Sequence, residues 1–322
     1  MSTAIPETKS KSLLDRFLLN ISISAIESPP KYNGDIVHYT SINSLGSILQ
    51  KQGDKFTLWA SRYDCLNDIT EGTVVEQRYA EVCDSLLAEG LLSEEQYQLF
   101  RSIRATRNDT FMVSQNGTLR PTRCECEIYV TSFSTGNDLL AMWTYYSKGA
   151  KYEGCNIGIS TKEAITRLKN LYVDGKVNIQ VCPVIYSTEE QSQIIRKMIL
   201  ELASKHERAY ETCIRAIVSM RLMALKMTFK LEHFQHEQEV RIIVKVARKY
   251  RNEIPVKYRT YGGLLIPYIE LQIPKNAVKF VTLGPIQGDA TQKELQVNIL
   301  REMLCEYGYS ADSLCSRIPV RY

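Results

Sequence analysis

Residues 36–60 read IVHYTSINSLGSILQKQGDKFTLWA, and the interpretation of the fold starts from this stretch. The apolar run Ile36–Tyr39 predicts a strand, and the apolar spacing from Ile42 to Gln50 predicts a short helix. The run Phe56–Ala60 predicts a second strand. Together they form a compact strand–helix–strand unit, in which His38 lies near the end of the first strand.

Six later stretches are strand candidates, and in the first three β-branched residues dominate and Gly, Asn or Ser mark the ends. They are Glu127–Ser134, Cys155–Ser160, Asn178–Tyr186, Glu239–Val246, Tyr268–Ile273 and Phe280–Leu283. Shorter helical spacing is present at Asp138–Tyr146 and at Gln292–Tyr307. Strands in runs, rather than in regular alternation with helices, favour an α+β fold with a mixed, mostly antiparallel sheet.

Two long helical segments interrupt the strands. Residues 73–108 predict a helical hairpin broken at Gly90, and residues 189–232 predict a long helical region with a break at Ser204-Lys205-His206. We therefore expect one α+β domain over residues 35–290 that contains both helical insertions. A polar tail with a short helix (1–34) precedes it, and a C-terminal helix and tail (291–322) follow.

Composition restricts the classes of protein that the chain can belong to. Of its 322 residues, 44% are hydrophobic and 24% charged, and the net charge is only +4, as in ordinary globular proteins. Nine cysteines without regular spacing fit reduced thiols and a cytoplasmic location, and Cys124-Glu125-Cys126 alone is a poor zinc site. No run of about 18 apolar residues occurs, so we expect no membrane partner and no metal.

Charged residues alternate at Glu237, Glu239 and Arg241, where a strand would place all three on one face. An arginine beside two carboxylates can keep one ionised and direct it at positive charge that develops when a glycosidic bond to ribose breaks. The alternative is a solvated ion pair at a strand edge, which stabilises by about 0–1 kcal/mol.

Polar residues near other strand ends suggest a binding cleft. His38, with Tyr39 and Thr40, precedes a helix start that could hold a phosphate, or His38 could only brace the strand end. Asn67, Asp68 and Glu71 follow the second strand, where such residues often simply close turns.

Hydroxyl and aromatic side chains cluster between residues 132 and 146. Ser132 and Ser134 flank Phe133, and Trp143 lies among Met142, Tyr145 and Tyr146. Core packing explains such a group, and so does an aromatic wall for a flat base such as nicotinamide.

A basic segment between Lys245 and Arg259, interleaved with tyrosines, is the best local candidate for contact with nucleic acid. A solvated loop between two strands has the same composition. The chain contains neither a G-x-G-x-x-G nor a P-loop pattern.

Several short motifs, in order from about residue 36 to 286, resemble those of the bacterial domain-of-unknown-function family twenty-nine seventy-one. They are His38-Tyr39-Thr40, Leu66-Asn67-Asp68 with Glu71, Ser132-Phe133-Ser134, Met142-Trp143 with Tyr146, Val184-Ile185-Tyr186, Glu237-x-Glu239-x-Arg241, Gly263 to Tyr268, and Leu283-Gly284-Pro285. The family name implies no activity.

The opening unit, from His38 to Ser61, is also similar to the first strand–helix–strand of ADP-ribosyltransferases, and Glu237-Gln238-Glu239-Val240 is similar to their Glu-x-Glu strand. Arg241 is not part of that pattern. The resemblance implies that His38, with Tyr39 and Thr40, holds the ribose of NAD. It also implies that Glu239 is the catalytic carboxylate and that Glu237 orients an acceptor.

The same resemblance places Ser132 and Ser134 on the hydroxyl-bearing strand at the cofactor. With it we expect Trp143 of the aromatic wall beside the base, and Asn67, Asp68 and Glu71 on the substrate side. We therefore expect an NAD-using ADP-ribosyltransferase or NAD glycohydrolase that acts on a protein or nucleic-acid acceptor or on water. Such chemistry suits a bacterial toxin, effector or phage-defence protein. The alternatives are a nucleic-acid-binding or nuclease module and a non-catalytic interaction domain.

Overall fold

A computed structural model describes residues 30–66, 73–105, 110–113, 119–122, 126–146, 154–171, 177–286 and 289–319. Its strands are β1 (Ile36–Ser41), β2 (Lys55–Arg62), β3 (Thr110–Val113), β4 (Leu119–Thr122), β5 (Cys126–Ser134), β6 (Gly154–Ile159), β7 (Val177–Pro183), β8 (Glu239–Ala247), β9 (Lys257–Tyr261), β10 (Leu264–Pro274), β11 (Val278–Leu283) and β12 (Asp312–Cys315).

The α-helices are α1 (Ile42–Leu49), α2 (Val74–Ala88), α3 (Glu94–Arg101), α4 (Leu140–Tyr146), α5 (Thr161–Leu171), α6 (Thr188–Ala203), α7 (Glu211–Lys226) and α8 (Ala290–Glu306). Short 3-10 turns occur at Tyr63–Cys65, Arg208–Tyr210, Glu232–Glu237, Arg248–Glu253 and Lys275–Ala277. The chain divides into two compact units, a helical one and one built on a sheet.

The helical unit consists of the described residues between 73 and 122 and between 187 and 229. The predicted hairpin is confirmed as α2 and α3, and Ser93 and Gln96 form a capping box that starts α3. The predicted break in the second insertion is confirmed between Ala203 and Glu211. The two insertions pack on one another through α2 and α6, so they make a core of their own.

The sheet unit holds a ten-stranded sheet that branches at β5. One edge of β5 pairs along its whole length with β8, and β8 pairs with β7. The other edge pairs with β2 at Val130 and with β1 at Ser134, so β1 and β2 start separate branches from one strand. One branch continues through β6, β11 and β12, the other through β10 and β9.

Pairing within this sheet confirms the predicted mixed, mostly antiparallel arrangement. Every described ladder is antiparallel except that between β11 and β12. The strand–helix–strand unit predicted from residues 36–60 is confirmed as β1, α1 and β2. Helix α5 and strands β9 and β12 were not predicted, and the C-terminal α8 packs Leu300 and Leu304 into the core of the sheet unit.

The main core lies on one face of the branched sheet. Val240, Ile242 and Val244 of β8 point into it, together with Phe133 of β5 and Ile36 of β1. Because side chains alternate along a strand, the intervening residues of β8, beginning with Glu239 and Arg241, face the opposite side. This alternation determines where the candidate site is found.

Candidate functional site

Four charged side chains meet on the face of the sheet opposite the main core: Lys230, Glu237, Glu239 and Arg241, here termed the charge cluster. Arg241 binds the Glu239 carboxylate through two nitrogens, Nε to Oε1 at 2.7 Å and Nη2 to Oε2 at 2.9 Å. Lys230 Nζ donates to Glu237 Oε2 at 2.7 Å and to Glu239 Oε2 at 3.2 Å. None of the four residues is more than 8% exposed. Two cations and two carboxylates therefore balance inside the protein.

The local backbone separates Glu237 from the strand that holds Glu239 and Arg241. Glu237 ends a 3-10 turn, Gln238 adopts the left-handed conformation with φ of 46°, and β8 begins at Glu239. The predicted strand Glu239–Val246 is confirmed, whereas Gln238 interrupts the alternation that would place Glu237 in the same strand. Ser134 Oγ donates to the Glu237 carbonyl oxygen at 2.8 Å and holds this turn.

Glu239 is ionised in this environment. Burial raises the pKa of its carboxyl, but the charges of Arg241 and Lys230 and hydrogen bonds from Arg241 and Ser132 outweigh burial and lower the pKa to about 2. For Lys230, burial lowers the pKa, but Glu239 and Glu237 outweigh it, so the net shift is upward. The cluster is therefore a set of charges at neutral pH rather than of neutral hydrogen-bonding groups.

Two members of this site were not predicted from the sequence. Lys230 follows a helix and precedes the 3-10 turn, so no strand or helix period links it to the glutamates. The Glu239 N–H donates to Tyr186 Oη at 3.0 Å, and burial raises the pKa of that phenol. In the sequence, Tyr186 is only a residue with a polar hydroxyl at the end of an apolar strand pattern. Its partner, Glu239, lies 53 residues further along the chain, so no local pattern links the two.

His38 does not share a face with Glu239. Val37 and Glu239 are both ladder partners of Ser134, so their side chains lie on one side of the sheet and His38 points to the other. There its ring lies 5.7 Å from that of Phe133 and hydrogen-bonds the backbone of Ser132. We expected His38 and Glu239 on one surface, and this expectation was wrong. Ladder partners point to the same face of a sheet, and His38 is one residue away from the partner position.

Burial lowers the pKa of His38 to about 4 from its ordinary value of 6.5, although the hydrogen bond with the Ser132 backbone opposes that shift. The unfolded chain binds a proton near pH 6.5 and the folded one only near pH 4. The stability that neutral His38 contributes is therefore complete above pH 6.5 and is lost as the pH falls through 4.

We expect the wild type to lose about 2 kcal/mol of unfolding free energy between pH 7 and pH 5 through His38, a loss that His38→Gln removes. Urea unfolding of both proteins at the two pH values measures it. The other three histidines are common to both proteins, so equal pH dependence in wild type and variant would contradict the assignment.

Several residues expected at a cofactor are occupied by the fold itself. Trp143 is 1% exposed, its Nε1 donates to Asp138 Oδ1 at 2.8 Å, and its ring meets that of Tyr39 edge-on at 4.7 Å. The Tyr39 hydroxyl donates to the Gly136 carbonyl at 2.9 Å and accepts from the Leu139 N–H at 3.1 Å. These two residues form a small second core and offer no open ring face to a base.

Of the remaining expected cofactor residues, Ser134 is fully buried and braces the turn before β8. Thr40 is half-buried within β1, opposite Cys155 of β6. Ser132 reaches a side chain of the charge cluster, through its hydrogen bond to Glu239. Asn67, Asp68 and Glu71, expected on the substrate side, lie outside the described residues.

The basic segment is partly neutralised in the fold. Lys257 pairs with Glu270 at 2.8 Å, and Arg251 pairs with Glu127 at 3.5 Å. Arg259 Nη2 donates to Ser61 Oγ at 3.1 Å. Lys245 is half-buried in β8, and burial lowers its pKa. These contacts leave fewer free cations for a phosphate backbone than the sequence predicts.

Comparison with known proteins identifies one relationship. A family model described as Protein of unknown function (DUF2971) matches residues 142–242. The match covers 101 of the 322 residues and shows that this region is similar to that family. The matched DUF2971 region runs from α4 to the start of β8 and includes Tyr186 and all four residues of the charge cluster. No curated protein and no solved structure matches the chain.

Within the described ranges, no group of three or more His, Cys, Asp or Glu side chains is placed to hold a metal ion. No helix in that part of the chain is long and apolar enough to cross a membrane. The charge cluster is a buried set of ionised groups on which a function can be based.

Proposed function

We propose that this protein is an NAD-using enzyme of ADP-ribosyltransferase or NAD glycohydrolase type, with Glu239 as the catalytic carboxylate. The observation that carries the proposal is the ionised Glu239, fixed at the start of β8 beside the branch point of the sheet. Breaking the nicotinamide–ribose bond develops positive charge on the ribose. A preorganised carboxylate stabilises such charge without reorganising.

The geometry of Lys230 supports this role. Its ammonium group lies between two carboxylates, so the cluster already binds a positive charge at this position. The contact with Glu237 (2.7 Å) is shorter than that with Glu239 (3.2 Å). Glu237 can therefore retain Lys230 while Glu239 turns its Oε2 toward a substrate, and Arg241 holds the carboxylate in its charged form.

Two further features fit an ADP-ribosyltransferase-like fold, which we include in the proposal. The strand–helix–strand unit supplies β1 and β2 of the branched sheet. These two strands pair with β5 on either side of Ser132, where the two branches separate. Ser132 contacts His38 through its backbone and Glu239 through its side chain, so one residue joins the two motifs. A ribose held near Ser132 would lie within reach of the carboxylate.

Nicotinamide release from NAD by wild type and by Glu239→Gln, with cell lysate as a source of acceptors, tests the proposal. We expect release to fall by at least about a hundredfold, the cost typical of losing one electrostatic contact to a transition state. Ser132→Ala is the variant that retains all four charges, and we expect a smaller, several-fold loss.

Circular dichroism and urea unfolding of each variant separate loss of chemistry from loss of fold. Glu237→Gln is the reference for stability, because it removes a carboxylate from the same cluster but leaves Glu239 and Arg241 paired. Equal release by wild type and folded Glu239→Gln, or no release by wild type with any lysate, would refute the proposal.

A second candidate follows from the closure of the cluster. All four charges find partners inside the protein, as expected of a non-catalytic interaction domain in which the cluster braces the turn before β8. This candidate predicts that NAD does not shift the melting temperature of the wild type. It also predicts that Glu239→Gln has a lower melting temperature than the wild type and that neither protein releases nicotinamide.

A further inference from the structure

The tip of the β9–β10 hairpin exposes four large apolar or aromatic side chains. Leu264 and Leu265 are 68% and 70% exposed, and Tyr258 and Tyr261 are 59% and 49% exposed. Between the strands, Gly262 and Gly263 both have positive φ, which makes a tight turn. The sequence at the turn, Tyr-Gly-Gly-Leu-Leu, thus places two leucines where the structure covers neither.

The exposure is two-sided. Consecutive residues of a strand point to opposite faces, so Leu264 and Leu265 face opposite directions. Leu264 is the ladder partner of Tyr261, and Leu265 that of Thr260. Because both leucines are about two-thirds exposed, the tip projects beyond the body of the sheet rather than resting on it. A flat protein surface could cover only one of these faces. The acyl chains of a lipid bilayer are fluid and can surround both leucines.

The hairpin that carries the tip has a small positive charge. Residues 257–270 contain two cations, Lys257 and Arg259, and one carboxylate, Glu270. Glu270 pairs with Lys257, so one positive charge of the hairpin is in excess. Lys257 and Arg259 lie on β9 itself, next to the exposed tyrosines. Counted from the turn, Tyr261 lies opposite Leu264, and Arg259, Tyr258 and Lys257 follow behind the leucines. An apolar tip backed by tyrosine and cationic side chains suits the interface of an anionic membrane.

We infer that the β9–β10 tip inserts Leu264 and Leu265 into the surface of an anionic lipid bilayer. Tyr261 would enter beside Leu264, its ladder partner, and Tyr258 would lie at the headgroup level with the cations, which would contact the acidic headgroups. Nucleic acid could contact the cations through its phosphates and the tyrosines through its bases, but it would leave the two exposed leucines in water. The sequence predicted no membrane partner because it contains no long apolar run, and the exposure of the two leucines is visible only in the folded hairpin.

Sedimentation with vesicles tests this inference on the full chain. We expect the wild type to bind phosphatidylcholine vesicles that contain phosphatidylserine and to bind pure phosphatidylcholine far less. The double variant Leu264→Ser, Leu265→Ser should bind the anionic vesicles at least about tenfold more weakly, since two leucine side chains no longer leave water. Both positions are exposed, so the variant should fold as the wild type does.

Leu295 and Ile299 of α8 provide the matched control, because they are 56% and 47% exposed and lie outside the hairpin. The double variant Leu295→Ser, Ile299→Ser should bind vesicles as the wild type does. Three results would overturn the inference: no binding of wild type to anionic vesicles, equal loss in both double variants, or full binding by the hairpin variant. Binding of single-stranded DNA in place of vesicles would likewise overturn it.

Discussion

Replacing Arg241 by methionine is expected to lower the free energy of unfolding by about 3–5 kcal/mol. The side chain is 1% exposed, and both of its contacts to Glu239 are charge-assisted hydrogen bonds. Methionine fills most of the volume but leaves the Glu239 carboxylate with Lys230 as its only cationic partner in the cluster. Urea unfolding at pH 7 measures the difference.

A double-mutant cycle provides the control for this result. Glu239→Gln combined with Arg241→Met removes both charges of the bidentate pair and leaves Lys230 with Glu237. We expect the double variant to be more stable than Arg241→Met alone, because an unbalanced buried charge is costlier than none. A cost below about 1 kcal/mol for Arg241→Met would mean that solvent reaches the cluster and screens it.

Truncating Trp143 to alanine is expected to cost about 3–5 kcal/mol, as for other buried aromatic residues. The ring packs with Val37, Tyr39 and Met142, and its Nε1 donates to Asp138. That carboxylate also accepts from the Ser316 hydroxyl and the Arg317 N–H, at 2.6 and 2.9 Å. Loss of the indole therefore leaves a cavity and one carboxylate contact fewer near the C-terminal segment.

The comparison with Trp143→Phe distinguishes packing from ligand contact. Phenylalanine restores most of the ring volume, so we expect it to recover more than half of the lost unfolding free energy. If Trp143 instead lined a base-binding surface, both variants would retain the stability of the wild type. They would then differ only in the shift of melting temperature that NAD produces.

Regular periodicity made most of the fold predictable. The strands of residues 36–60, the hairpin of the first insertion and the break in the second all rest on local spacing, and all three are confirmed. Strand β9 was missed because its residues, KYRTY, are mostly exposed, so it has no buried face and no apolar alternation. Helix α5 follows β6 after one residue, too closely for a separate signal.

The candidate site was only partly predictable, because it depends on which elements pair. Glu239 and Arg241 were identified from a strand period, and they do share a face. The separation of His38 from them follows from the register of β1, β5 and β8, which no local pattern contains. Lys230 was missed because it lies between α7 and the 3-10 turn, where no strand or helix period links it to the glutamates.

The origin of the helical unit in two separate insertions has a consequence for synthesis on the ribosome. Helices α2 and α3 emerge first, but α6, against which α2 packs, follows about a hundred residues later in the sequence. Until then Val75, Leu86 and their apolar neighbours lack part of their final covering. In the nascent chain, the apolar face of α2 therefore stays partly exposed for several seconds of elongation. During this period a chaperone could bind it.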